Sequence, residues 1–72
     1  MIATNEQIAA TLIWFINNRS KNISRLIHEA IENPEKNNNN MQLQIASNFE
    51  AMYYFISMYR KILPNKEIPL NG

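Results

Sequence analysis

His28 and Glu32 stand four residues apart, a spacing that sets an imidazole and a carboxylate on one face of a helix. Such a pair does acid–base work, or holds a metal where further ligands converge on it. Little else in the chain can join it. The neighbouring Glu29 points elsewhere, His28 is the one histidine, and all six acidic residues are glutamates. Cysteine is absent, which removes thiolate metal sites, thiol nucleophiles and disulfides together. There is no nucleophile–base set and no glycine-rich phosphate loop, since the single glycine is the last residue. His28 and Glu32 therefore read as a surface pair. The expectation is a non-enzyme with no catalytic residue, no metal, no cofactor and no small-molecule substrate.

The basic residues are the next candidates. Arg19, Lys21 and Arg25 gather in the first half, and Arg60, Lys61 and Lys66 near the end. Nucleic-acid binders carry a basic stripe with a marked positive balance. Here the net charge is +1, and Glu29, Glu32 and Glu35 follow the first cluster directly. The clusters read as solvated faces, the second also suiting the C-terminal dipole of a helix. Nucleic acid is not an expected partner.

What remains is apolar surface. A single domain of 72 residues lies at the small end of what folds alone, and such chains lean on disulfides, a metal or a partner. With the first two excluded, association is the expected supplement. Ile45, Phe49, Met52, Ile56, Tyr59 and Leu63 recur at alternating steps of four and three, the seam of a bundle helix or coiled coil. Behind that seam the segment stays apolar: Ala51, Tyr54 and Met58, flanked by Phe55 and Ile62, would form an exposed patch on an isolated hairpin. Exposed patches of this kind mark interaction surfaces, and methionine with aromatic residues makes an adaptable one. Trp14 falls nearly opposite the first helix's stripe, where an indole either anchors a partner or packs on the tail, with Phe15 beside it. The expected partner-binding set is Trp14, Phe15, Ala51, Tyr54, Phe55, Met58 and Ile62. The expected partner is another protein chain, in a hetero- or homo-oligomer.

The elements that must position these residues are helices. Thr4 or Asn5 can cap the first, with Glu6 in its first turn. Ala9, Leu12, Ile16, Ile23, Leu26 and Ala30 keep one heptad phase up to Asn33. Between them Asn17 to Asn22 is polar and poor in helix formers. Either one helix runs from about 5 to 33, or a turn splits it with Asn22 capping the second piece. The unchanged phase across the gap favours one helix. Asn33-Pro34 ends it, because the residue before proline is pushed out of the helical region. The segment NPEKNNNN, residues 33 to 40, makes the connection, and Asn40 is the expected cap of a second helix over 41–63. Pro64 stops that helix, and the tail over 64–72 is expected extended or frayed. The fold class is all-α, an antiparallel helical hairpin completed by association. The N-terminus lacks a basic targeting region, and the apolar run Leu12 to Ile16 is too short to span a bilayer. A cytoplasmic chain with no membrane span is the expectation.

A hairpin of this length, free of cysteine and over-apolar on its second helix, resembles the small co-chaperones of type III secretion needle subunits. The segment Gln44 to Tyr59, QIASNFEAMYYFISMY, looks like that family's second helix, and residues 33 to 40 sit where it has its interhelical loop. The likeness covers the length of the hairpin and rests on pattern. It implies that the hairpin pairs with a helical-repeat chaperone to keep the needle subunit from polymerising, with Tyr54, Phe55, Met58 and Ile62 on the shared surface. The needle subunits are themselves helical hairpins, but their C-terminus continues as helix, which Pro64 and Pro69 forbid here. The stretch RSKNISRLIHEAIE, residues 19 to 32, and the ending YRKILP, residues 59 to 64, also look like small enterobacterial regulators that bind a nucleoid protein or a sensor. That likeness requires a break near residues 17 to 22. A homodimeric four-helix bundle, used as a structural or inhibitory module such as a phage-encoded inhibitor, is the third reading.

Overall fold

The computed structural model describes residues 2–69. Helix α1 spans Asn5–Glu32, a short 3-10 turn follows over Pro34–Lys36, and helix α2 spans Asn39–Ile62. The two helices pack side by side as an antiparallel hairpin, and no strand occurs among the described residues. The body measures 48 × 22 × 20 Å, with a radius of gyration of 14.7 Å. A compact domain of this length would have a radius near 11 Å. The hairpin is a rod.

Each helix begins on a side-chain cap. The Thr4 hydroxyl accepts from the Gln7 amide at 3.1 Å, and the Gln7 side chain accepts from the Thr4 amide at 2.8 Å. That reciprocal box satisfies two amides that have no partner within the helix. At the other end the Asn33 amide donates to the Glu29 carbonyl at 2.9 Å. Pro34 then turns the chain into the 3-10 segment, where the Lys36 amide reaches the Asn33 carbonyl at 2.8 Å. The cap of α2 is Asn38, whose Oδ1 accepts from the Met41 amide at 3.0 Å. This corrects the expectation of Asn40, and α2 starts two residues earlier than the expected 41. In a run of four asparagines any one can cap. The 3-10 turn closes at Asn37, so Asn38 is the first residue free to adopt the extended backbone of a cap, with φ −110° and ψ −179°. Replacing Thr4 or Asn38 with alanine is expected to cost about 1 kcal/mol each, read as a lowered thermal midpoint.

α1 passes through residues 17 to 22 without a break. Its buried residues, Ala9, Leu12, Ile16, Ile23 and Leu26, hold the single phase seen in the sequence, and Ile16 is fully buried. From α2, Met41 and Tyr59 are buried. Near the middle of the rod the Arg19 guanidinium donates to Asn48 Oδ1 at 3.2 Å, and Asn48 Nδ2 donates to the Gln44 carbonyl at 2.8 Å. Arg19 is thus half-buried and bridges the helices, where the sequence placed it on a solvated face. A polar pair inside an apolar seam resists sliding of one helix against the other, because any shift leaves its members unpaired.

The tail does not simply fray. Leu63 caps the end of α2, its amide donating to the Tyr59 carbonyl at 2.9 Å, and the Lys66 amide reaches the Leu63 carbonyl at 3.3 Å. That turn folds Ile68 back onto the cluster of Ala9, Leu12 and Tyr59. Residues 70–72 of the expected extended tail lie outside the described residues.

Candidate partner-binding surface

α2 turns its inner face slightly away from the seam expected of it. Tyr59 is common to both. On one side of it Phe55, Met58 and Ile62 pack against the Ala9–Leu12–Tyr59 cluster, together with Ile13 and Leu63. Phe49 and Ile56, expected at the centre of the seam, are half-buried on the other flank. Three residues of the expected partner-binding set, Phe55, Met58 and Ile62, therefore also serve the hairpin's own core. Ala51 is half-buried beside them.

The remaining three stand outward. Trp14 is 63% exposed, Tyr54 63% and Phe15 37%. Their rings join through Phe55 into one chain that crosses the groove between the helices. Trp14 meets the edge of Phe15 at 5.4 Å between centroids, Phe15 stacks on Phe55 at 5.2 Å, and Tyr54 meets Phe55 edge-on at 6.0 Å. These are the separations at which aromatic pairs attract beyond simple burial. The two inner rings fix the outer two. Trp14 lies in a shallow depression with Asn17, Asn18 and Lys21; the described tail runs beside Ile56 and Arg60 instead.

The surface extends further along α1 than the sequence assigned. Ile8, 37% exposed, lies one heptad before Phe15, and with Ala3, Gln7 and Thr11 the two line an open apolar groove. The signal was present in the heptad spacing of the pair, yet only Phe15 was expected at the binding surface and Ile8 was not. A second exposed ring, Tyr53 at 61%, stacks on Phe49 at 6.1 Å on the opposite flank of α2.

Charge is distributed with equal clarity. No residue from Gln7 to Asn18, or from Ala51 to Tyr59, is charged. The contacts of Ala9 and Leu12 with Tyr59, of Phe15 with Phe55 and of Arg19 with Asn48 place these two segments side by side. The two paired segments carry no charge of their own and are flanked by charges on both sides, with Glu6, Arg60, Lys61, Lys66 and Glu67 toward the chain ends and the others toward the connecting turn. There Arg25 pairs with Glu29 at 3.3 Å, an exposed i,i+4 bridge worth at most a few tenths of a kcal/mol. Both His28 and Glu32 are exposed. Among the described residues no cluster of three or more His, Cys, Asp or Glu side chains is placed to hold a metal. Nor is any described helix long and apolar enough to cross a membrane. Comparison with protein-family models, with curated proteins and with solved structures returns no match for this chain.

Proposed function

We propose that this chain is a protein-binding module, a small chaperone or adaptor that shields an aggregation-prone partner by laying the open aromatic flank of its hairpin over it. The observation that carries this reading is the ring chain Trp14–Phe15–Phe55–Tyr54, anchored at its centre and more than half exposed at both ends. Anchored aromatic side chains lose little freedom on binding, and tryptophan and tyrosine are the residues that most often dominate an interface. Fully burying three or four such side chains contributes roughly 5 to 10 kcal/mol before the costs of association and ordering. The matching partner is an apolar helix or hairpin that would otherwise self-associate, such as a needle subunit of a type III secretion system. The unbroken α1 supports this reading over the regulator, whose likeness depended on a break near residues 17 to 22.

The test uses two adjacent tyrosines of nearly equal exposure. A photo-crosslinking residue at position 54 should capture one defined protein from the native host, and the same residue at position 53 should not. Tyr54→Glu should abolish capture through a crosslinker at Trp14 while leaving the helical circular dichroism of the isolated chain unchanged. Met58 is less suited to this test, because it also packs on the core. Equal capture from positions 53 and 54, or none from either, overturns the reading.

A further inference from the structure

We infer that residues 64–69 form a strap that opens without unfolding the hairpin. Closed, it shields the flank of α2 that bears Ile56; open, it bares a second apolar face. This device belongs to the chain alone and needs no partner on the aromatic flank.

The strap has one anchor. Of residues 64–69 only Ile68 is partly covered, and the other five are exposed. Ile68 packs against the cluster of Ala9, Leu12 and Tyr59, and it lines a depression with Ile56, Arg60, Lys66 and Glu67. Its position is what makes the two flanks unequal. The side bearing Phe15, Tyr54 and Phe55 has no such cover among the described residues.

Little else holds the segment down. Among the described residues its one backbone hydrogen bond runs from the Lys66 amide to the Leu63 carbonyl, at 3.3 Å. That bond closes a turn on the end of α2 and ties nothing beyond Lys66 to either helix. Pro64 and Pro69 bring no amide hydrogen to add another. Arg60, Lys66 and Glu67 share the depression, yet among the described residues the one ion pair is Arg25 with Glu29. A segment held by so few buried contacts opens locally at far lower cost than the whole fold. The helices are held differently, along buried residues from Ala9 to Leu26 and at Met41 and Tyr59. Freeing Ile68 leaves those contacts in place.

Methyl resonances of the native full-length chain, followed in rising urea, test the opening. The Ile68 methyls should leave their packed position below the unfolding transition, with a shallow dependence on urea, because release exposes little surface. Those of Leu12 should hold until the helices melt. Loss of both together on one steep transition overturns the inference. Shielding is tested in the cysteine-free background of the chain, with Ile56→Cys as the probe and Ser20→Cys as a half-buried reference on α1. Adding Ile68→Asp should speed alkylation at position 56 roughly three- to tenfold, since half-burial carries about half of an isoleucine's transfer free energy. Position 20 and the helical circular dichroism should stay as they were. No change at position 56 means that the tail covers nothing there. Equal acceleration at both positions means that Ile68 belongs to the cooperative core. Either result overturns the strap.

Discussion

Ile16→Ala is expected to remove roughly 2 to 5 kcal/mol of stability, the largest effect of any conservative truncation in α1. Ile16 is the one side chain with no exposed surface among the described residues. It sits between the Ala9–Leu12 end of the core and the Ile23–Leu26 end, and truncation leaves a cavity that a two-helix rod can close only by bending. A single core in a chain of this size supplies about 3 to 5 kcal/mol in total, so the loss is comparable with everything the fold has. Thermal and urea denaturation at fixed protein concentration should show the variant largely unfolded at physiological temperature. Concentration must be held constant because self-association would add to the apparent stability. Ile31→Ala is the matched control: Ile31 lies on the same helix but is 71% exposed, and its truncation should stay within about 0.5 kcal/mol. Equal midpoints for the two variants would mean that α1 is not packed through Ile16.

The architecture was legible because the signals that fix it are local. Pro34 and Pro64 mark both helix ends, Thr4 or Asn5 offers a cap with Glu6 in the first turn, and one heptad phase runs from Ala9 to Ala30. What could not be read was rotation. Helix α2 is apolar on most of its circumference, so its pattern is compatible with several inward directions. The chosen one is set by particular cross-helix contacts: Arg19 with Asn48, Phe15 with Phe55, and Tyr59 over Ala9 and Leu12. None of these has a signature in either helix alone. For the same reason Phe55, Met58 and Ile62 read as a free surface, although they also help to hold the hairpin shut. Trp14 and Tyr54 were legible as outward residues because each sits far from its own helix's buried stripe.

This sharing of residues has a physical consequence for the binding role. Phe55 stands between the core and the open flank, in contact with Phe15 on one side and Tyr54 on the other. A partner seated on the flank would complete the burial of side chains that the hairpin alone leaves half covered. Binding would then stabilise the fold as well as the complex. The exposed aromatic flank and the thin core are two aspects of one fact: the chain has more apolar area than two helices can enclose.

Ser20→Pro carries the second large effect, and it addresses the polar stretch where the sequence admitted two folds. In a continuous α1 the Ser20 amide lies four residues beyond the Ile16 carbonyl, within the helix Asn5–Glu32. Proline there removes that hydrogen bond, and its ring clashes with the same carbonyl, at a cost of about 3 kcal/mol or more. It would also uncouple Ala9, Leu12 and Ile16 from Ile23 and Leu26, so both halves of the core should fail together. The expected result is loss of cooperative unfolding and of most helical circular dichroism. Ser20→Ala should do the opposite, since alanine is the better helix former and the site is half-buried without need of the hydroxyl. A few tenths of a kcal/mol of added stability are expected. If a turn split the helix at residues 17 to 22, proline would be tolerated and alanine would gain nothing. The two variants therefore shift the thermal midpoint in opposite directions only if the stretch of three asparagines is helix, held there by the apolar phase on either side rather than by its own preference.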